Sequence, residues 1–279
     1  MKLKVYGCRG SVPVSRSLRS RYGGNTSSML LESGGEYLIL DAGSGILRME
    51  HDYKDINEDS HAKLPFKPSI LLSHLHLDHI IGLAAYTPLF DHTTETKIYT
   101  ISRDARPLKS QIFGAFVPPY WPVSMTDDAF VECIEVFTNT PFNIGPFTIT
   151  PFHAQHLDKT VSFHITDGEK SIVYLLDSEL DLMTDKHYQE LVNYCTNADL
   201  VVFDAAYTIE DYKTKRHWGH STVEDGVRLA IKCNCERMLF SHFAPDYIDS
   251  ELDELIAYLI PHGYGSRFIM ASDGLSIKI

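Results

Sequence analysis

The stretch SILLSHLHLDHIIGL, residues 69–83, decides how the rest of the chain is interpreted. It begins with the apolar run SILL, which is typical of a buried strand. Four side chains that can bind a metal follow within six residues: His74, His76, Asp78 and His79. Because residues two apart in an extended chain point to the same side, His74 and His76 can converge on one ion. Asp78 and His79 are adjacent, so they suit a second ion or the start of a helix, and imidazole with carboxylate favours zinc or a similar first-row metal.

Composition and charge narrow the class of protein. The chain has 279 residues, of which 44% are hydrophobic and 22% charged, as in a globular protein with a sizeable core. A net charge of −12 argues against a stable complex with long nucleic acid. No apolar run is long enough to cross a membrane, and the N-terminus does not resemble a signal peptide. The five scattered cysteines suit a reducing compartment, so we expect a soluble, cytoplasmic protein.

The first 21 residues are a local exception to the acidic character. They carry six basic side chains and no acid: Lys2, Lys4, Arg9, Arg16, Arg19 and Arg21. A loop in this segment could place cations beside a small anionic substrate, with Arg21 as the candidate contact. A solvated basic loop is the equal alternative.

Periodicity predicts many short strands, from KLKVYG at the N-terminus to LSIKI at the C-terminus, with interspersed helices. STVE, residues 221–224, predicts a capping box in which Ser221 caps a helix and Glu224 bonds back. This arrangement predicts one α/β domain of packed layers over residues 1–279. An insertion at about 101–130 contains FVPPYWPV and predicts a packed loop, which could be a lid, a subunit contact or a surface insertion.

The H-x-H-x-D-H pattern after a core strand resembles that of the metallo-β-lactamase fold superfamily. The resemblance covers nearly the whole chain and implies a four-layer αββα sandwich. The ribonuclease Z and cyclic-nucleotide phosphodiesterase branch is the most similar, through YLLDSE, DAAY and GHSTVEDGVRLAIKCNCERMLFSHFAPDY. YGCRGSVPVS and PPYWPV also resemble phage and bacterial phosphodiesterases of the anti-Pycsar type, which degrade cyclic nucleotide signals.

The resemblance implies two divalent metal ions, with zinc favoured and manganese as the alternative. The first ion would be held by His74, His76, His156 and Asp177, and the second by Asp78, His79, Asp177 and His242. Asp41, which ends the run EYLILD, would support the metal-binding loop from behind the ligands.

The stretch PFHAQHLDKTVSFHI, residues 151–165, offers three histidines for the first ion. The pattern of the branch, a histidine followed by T/S-V-G-Y, matches HLDKTVSF from His156. The resemblance therefore selects His156 as the ligand and leaves His164 as a strand residue. For His153 two possibilities stay open: it contacts a metal-binding residue or the substrate, or it has no special role.

The resemblance implies phosphodiester hydrolysis by a water that the metals activate. The catalytic residues implied are Asp78, His220 and Asp204. His220, oriented by Asp204, would protonate the leaving oxygen as a general acid. Asp204 stands where the branch has glutamate, so its shorter arm makes the pairing with His220 a point for the structure to test.

Three further residues are candidates for contacts to substrate. Tyr207 and Trp218 flank His220 in the sequence, and either aromatic ring could pack on a base. Asn25 in GGNTSS lies where the branch has a similar segment near the floor of the site, and a phosphate contact or a plain loop amide are both open.

We therefore expect a hydrolase for a small cyclic phosphate, most of all for 3′,5′-cyclic mononucleotides. A ribose cyclic phosphate phosphodiesterase and a tRNA 3′-end endonuclease share the same catalytic set and are the alternatives. A protein that is not an enzyme, either a metal-stabilised scaffold or one that binds and sequesters nucleotides, is a third alternative. Neither a membrane nor a stable nucleic acid partner is expected, whereas a homodimer is.

Overall fold

The protein is described here by a computed structural model that covers residues 1–15, 21–56, 67–259 and 265–279. Two mixed sheets of seven strands form its centre. The first sheet runs in the order β14-β1-β2-β3-β4-β5-β6, with β1 at Lys2–Gly7, β2 at Ser28–Ser33, β3 at Glu36–Leu40, β4 at Ser69–Leu71, β5 at Thr96–Thr100, β6 at Val131–Glu135 and β14 at Ser276–Lys278. The second runs in the order β13-β12-β11-β10-β9-β8-β7, with β7 at Phe142–Ile144, β8 at Phe147–His153, β9 at Val161–Thr166, β10 at Ser171–Leu175, β11 at Leu200–Asp204, β12 at Arg237–Ser241 and β13 at Phe268–Met270.

Helices cover the outer faces of both sheets. They are α1 at Gly45–Ile56, α2 at Leu77–Ile80, α3 at Leu108–Phe113, α4 at Met125–Asp128, α5 at Asp185–Cys195, α6 at Ile209–Lys215, α7 at Val223–Cys233 and α8 at Asp249–Leu259. Side chains of α1, α3 and α4 pack with one face of the first sheet, and those of α5, α7 and α8 join the core of the second. These layers confirm the predicted αββα sandwich.

Alternation along the strands explains why the first sheet is buried on both faces. Leu31 and Leu38 belong to the core shared with the second sheet, whereas Leu30 and Ile39 belong to the core under the helices. Successive side chains of a strand point to opposite faces, so each strand serves two cores.

Parallel pairing places several strand ends at one edge. Strands β3 to β6 are parallel to one another, as are strands β10 to β13. The chain turns sharply after three of these strands, where Asp41, Asp177 and His242 have φ values of 55°, 52° and 63°. Residues other than glycine rarely adopt this left-handed conformation, and such positions concentrate at functional sites.

The predicted cap of α7 is wrong by one residue. Thr222 is the N-cap, and its hydroxyl accepts from the Asp225 amide at 3.1 Å. The Asp225 carboxylate accepts from the Thr222 amide at 3.0 Å. T-x-x-D satisfies the same two helix-end donors as S-x-x-E, so the sequence contained two overlapping capping patterns. Ser221 instead donates to the Ser178 carbonyl.

The segment 101–130 contains α3 and α4 and is anchored by buried Phe113 and Phe116. Its tip is open to solvent, with Tyr120 84% exposed. A role as lid or subunit contact stays a prediction, as do the homodimer and the single-domain boundaries. Arg16 and Arg19 lie outside the described residues. Within the described ranges, no helix is long and apolar enough to cross a membrane.

Candidate metal centre

One group of potential ligands lies where β4, β8 and β10 end. The ligand atoms of its members all lie within 4.8 Å of one another; they belong to His74, His76, His156 and Asp177. The Nε2 atom of His156 lies 3.2 Å from Nδ1 of His76 and 3.8 Å from Oδ1 of Asp177. The Nε2 atom of His74 also lies 3.8 Å from Oδ1 of Asp177. One carboxylate oxygen thus faces three imidazoles from two loops, those that follow β4 and β8.

A second group adjoins the first and consists of Asp78, His79 and His242. The Nε2 atoms of His79 and His242 are 3.1 Å apart, and Oδ2 of Asp78 lies 3.3 Å and 3.2 Å from them. Oδ2 of Asp177 approaches the same two nitrogens at 3.0 Å and 3.4 Å. Asp177 therefore turns one oxygen toward each group, which is the position of a bridging ligand.

The donor atoms fit divalent metal ions. Nε2 of His74 is buried without a hydrogen-bond partner among the described residues. Buried polar atoms left in this state are costly, and a cation would satisfy them. Three imidazoles with a carboxylate, beside two imidazoles with carboxylates, form a nitrogen and oxygen set suited to zinc or a similar ion.

Burial and charge set the protonation of these groups. Burial, reinforced by the neighbouring His79, holds the pKa of His74 well below its ordinary value. Burial alone would raise the pKa of Asp177, but His242 and His79 outweigh it and hold that pKa well below the usual range. A neutral imidazole and an ionised carboxylate are the forms that bind metal.

Asp41 lies behind the second group and is fully buried. Its carboxylate is 2.7 Å from Nδ1 of His79 and accepts hydrogen bonds from the Ser73 amide at 2.7 Å and the Tyr174 hydroxyl at 2.9 Å. This contact fixes the His79 ring and leaves its Nε2 atom for the group in front. The Gly219 carbonyl does the same for His156, whose Nδ1 atom lies 2.8 Å away.

Asp204 reaches His220 despite its shorter arm. Its Oδ2 atom is 3.0 Å from Nδ1 of His220, and its Oδ1 atom is 3.6 Å from Nδ1 of His242. Burial would lower the pKa of His220, but the Asp204 carboxylate outweighs burial and raises it. With Nδ1 held by Asp204, the Nε2 atom of His220 is the one left to exchange a proton.

An open cavity of about 720 Å³ exposes the centre to solvent. Besides the metal-binding side chains and His220, it is lined by Ser11, Leu77, Leu157, Tyr207, His217 and Trp218. Trp218 is 57% exposed and Leu157 is 68% exposed, so the mouth has an apolar wall. No lysine or arginine is among the described residues that line it.

Three residues predicted near substrate or ligands are not brought to this cavity. The Arg21 guanidinium pairs with Asp253 of α8 at 2.6 Å. The side-chain amide of Asn25 donates to Asp273 at 2.9 Å, as a loop amide does. His153 is exposed at the end of β8, and its ring stacks on another surface imidazole. Local acidic or aromatic partners, invisible in the sequence, hold each of these side chains, so a contact of any of the three with substrate or ligands stays a prediction.

Sequence reasoning missed two residues that lie next to the ligands in space or in the chain. The Ser11 amide donates to Oδ2 of Asp78 at 2.7 Å from a left-handed turn with φ 63°. Glu179 is 1% exposed and lies two residues after Asp177. Glu179 ends the stretch YLLDSE. A carboxylate this close to a buried strand was the feature of the sequence that could have indicated a buried role.

The two-sheet sandwich with this histidine and aspartate centre defines a metal-dependent hydrolase of the metallo-β-lactamase fold. The chain belongs to the beta-lactamase superfamily, because the family model of the beta-lactamase superfamily domain matches residues 38–243. The family that its motifs resemble is thereby confirmed.

Named relatives cover nearly the whole chain. A probable metallo-hydrolase, YhfI of Bacillus subtilis, is 24% identical over 87% of this chain and 86% of its own. Its crystal structure superimposes with a TM-score of 0.71 at 22% identity, covering 99% of this chain and 98% of that one. A ribonuclease Z of Azobacteroides pseudotrichonymphae is 21% identical over 89% of both chains. A diphosphatase of the PhnP family has a TM-score of 0.67 at 18% identity, over 100% of this chain and 97% of that one. A metal-dependent phosphodiesterase is consistent with these relatives.

Proposed function

We propose that the protein hydrolyses small cyclic phosphodiesters, above all 3′,5′-cyclic mononucleotides to nucleoside monophosphates. The observation that carries the proposal is the pairing of His220 with Asp204 at 3.0 Å beside Asp177. This places a proton donor next to two groups of metal ligands, which suits an ester whose leaving group is an alkoxide.

Each part of the reaction has a residue to perform it. When bound, two divalent ions at such a centre acidify a water and neutralise charge on phosphoryl oxygens. Asp204 stabilises the charged imidazolium of His220, which gives its Nε2 proton to the leaving ribose oxygen and becomes neutral. Trp218 and Tyr207 border the cavity where a nucleobase would pack against an aromatic face.

The size and charge of the cavity favour a small substrate. A chain of several phosphates needs cations outside the metal centre, because each phosphate contact comes mostly from lysine or arginine. The described lining offers none, and the net charge is −12. A single cyclic phosphodiester needs only the metal centre.

Cleavage at the 3′ end of tRNA is the second candidate. It is favoured by the similarity to ribonuclease Z over 89% of both chains. A ribose cyclic phosphate is a third candidate substrate, because it too is a single cyclic phosphodiester that needs only the metal centre and one proton donor.

A substrate panel tests the proposal. Protein loaded with zinc, and separately with manganese, is assayed on cyclic mononucleotides, cyclic dinucleotides, ribose cyclic phosphate and precursor tRNA. We expect turnover of a cyclic mononucleotide, lost in Asp177→Ala. Cleavage of precursor tRNA at submicromolar enzyme without turnover of any cyclic phosphate would refute the proposal. Turnover unchanged in Asp177→Ala would point to a contaminant and to a non-enzymatic metal protein.

A further inference from the structure

Glu179 is a buried carboxylate that takes no part in binding the proposed ions. Oε1 accepts from the His217 amide at 2.7 Å and from the Tyr212 hydroxyl at 2.6 Å. Oε2 accepts from the Gly219 amide at 2.8 Å. Both oxygens are thus occupied, and two of the three donors are backbone groups of one short loop, residues 217–219. We call this segment the 217–219 loop.

The 217–219 loop needs an external support because its backbone is unusual. His217 has φ 70° and Gly219 has φ 89°, both in the left-handed region. A non-glycine residue such as His217 holds this conformation only when its surroundings impose it. The carboxylate of Glu179 provides such a constraint by binding the amides on both sides of Trp218.

The 217–219 loop in turn holds a residue of the metal centre. The Gly219 carbonyl lies 2.8 Å from Nδ1 of His156, so it fixes the tautomer in which Nε2 is free for metal. The backbone amide of Glu179 also donates to the Gln155 carbonyl at 2.7 Å, directly before His156. Glu179 therefore supports His156 from two sides.

Packing around Gly219 leaves little freedom in this contact. A Cβ atom at that position would lie 2.2 Å from Nδ1 of His156. The carbonyl and the imidazole thus meet at close range, so a shift of the 217–219 loop would displace the imidazole. Trp218, carried by the same loop, borders the mouth of the cavity.

We propose that Glu179 is a positioning residue that couples the wall of the cavity to the metal centre, through Gly219 to His156 and through the 217–219 loop to Trp218. The inference concerns the metal centre and holds whichever phosphodiester is the substrate.

Zinc affinity of Glu179→Gln tests this directly. A glutamine has one acceptor oxygen, so its NH₂ group would face an amide or hydroxyl donor. We expect one of two zinc ions to bind about 10- to 100-fold more weakly, as when other supports of metal ligands are removed. Affinity is measured by competition with a chromophoric chelator. Asp181→Asn is the matched control, because Asp181 is an exposed carboxylate nearby that pairs with Arg216 at 3.1 Å.

A fluorescence measurement reports the loop separately from the metal. The chain has two tryptophans, so Trp121→Phe leaves Trp218 as the sole emitter. In that background, Glu179→Gln should lower the fluorescence anisotropy of Trp218, whereas Asp181→Asn should not. A role in fold stability alone would change the melting temperature without this local change.

If the Glu179→Gln variant does not fold, the Glu179→Asp variant is used for the same measurement. It keeps the charge but is one methylene shorter, so it cannot reach the amides of both His217 and Gly219. The same selective loss of one zinc ion is expected. Wild-type affinity for both zinc ions in the folded variants would overturn the proposal. Because zinc binding is measured without substrate, that result would leave the proposed phosphodiesterase activity untouched.

Discussion

The Oδ2 atom of Asp204 lies 3.0 Å from the Nδ1 atom of His220. The carboxylate accepts the Nδ1 proton and raises the pKa of His220, so it favours the imidazolium form, which carries the proton at Nε2. Loss of this contact should slow the reaction. We expect Asp204→Asn to lower kcat by about 10- to 100-fold and His220→Ala by about 10²- to 10⁴-fold. Steady-state kinetics on the best cyclic substrate measures both.

Metal analysis of the same preparations is the control for these two variants. His220→Ala should keep its zinc content, because the metals retain the other ligands. Asp199→Asn removes a surface carboxylate that pairs with Lys170 at 2.5 Å, and should leave kcat unchanged. Wild-type kcat in His220→Ala would exclude His220 as the general acid.

Gly219→Ala should damage the metal centre beyond its effect on the backbone. Alanine in a left-handed conformation costs about 1–2 kcal/mol of stability. At Gly219 the added methyl group would also meet His156 at 2.2 Å. Gly168→Ala is the matched control, since Gly168 has φ 92° and nothing within 4 Å of an added Cβ. Both variants should lose stability in denaturant unfolding, Gly219→Ala by more because of the clash, and only Gly219→Ala should bind zinc more weakly. Equal zinc affinity in the two would show that the contact is unimportant.

The cap of α7 gives a prediction on stability alone. Thr222→Ala removes the hydroxyl that accepts from the Asp225 amide, and should cost about 1 kcal/mol. Thr222→Ser keeps the acceptor and should remain close to wild type. Urea unfolding of the zinc-loaded protein measures the difference. If serine were as damaging as alanine, the methyl group and not the capping bond would be responsible.

The metal-free protein should lose stability as the pH rises. Burial would lower the pKa of His242, but Asp177 and other carboxylates outweigh it and raise the pKa to about 10 from an ordinary value of 6.5. A group with a raised folded pKa stabilises the fold below its unfolded pKa, and this stabilisation disappears as pH rises through the folded value. The melting temperature of chelator-treated protein should therefore fall between about pH 6.5 and 10.

Zinc should reverse this trend. Ligand imidazoles must be neutral to bind, so the gain in melting temperature on adding zinc should grow over the same pH range. A gain independent of pH would mean that the histidines are not the ligands. Differential scanning calorimetry with and without zinc distinguishes these outcomes.

Much of the architecture was predictable because strands that are buried on one or both faces appear in the sequence as alternating or continuous apolar residues. The runs KLKVYG, EYLILD and SILL correspond to β1, β3 and β4, and several ligands follow strands closely. The pairing of Asp204 with His220 also followed from a motif. Such features depend on local spacing, which a sequence contains.

The sequence does not reveal the partners of side chains when those partners are distant in the chain. Arg21, for which a phosphate contact and a solvated loop were both open, pairs with Asp253, 232 residues later. Helix α1 was missed although it begins at Gly45, soon after Asp41. Glu179 binds the 217–219 loop because that loop has an unusual backbone conformation. The spacing of apolar residues in the sequence does not predict this conformation. Tertiary contacts determine these conformations, and such contacts cannot be predicted from the residue pattern of a single sequence.

The position of Asp177 between the two groups of ligands has a mechanical consequence. His79 comes from a loop of the first sheet, whereas Asp177 and His242 follow strands of the second. Ions held by all of these residues would crosslink the two sheets. Loss of metal would therefore weaken the contact between the two sheets as well as stop the reaction. A substitution of a shared ligand would then change both the rigidity of the sheet interface and the turnover rate.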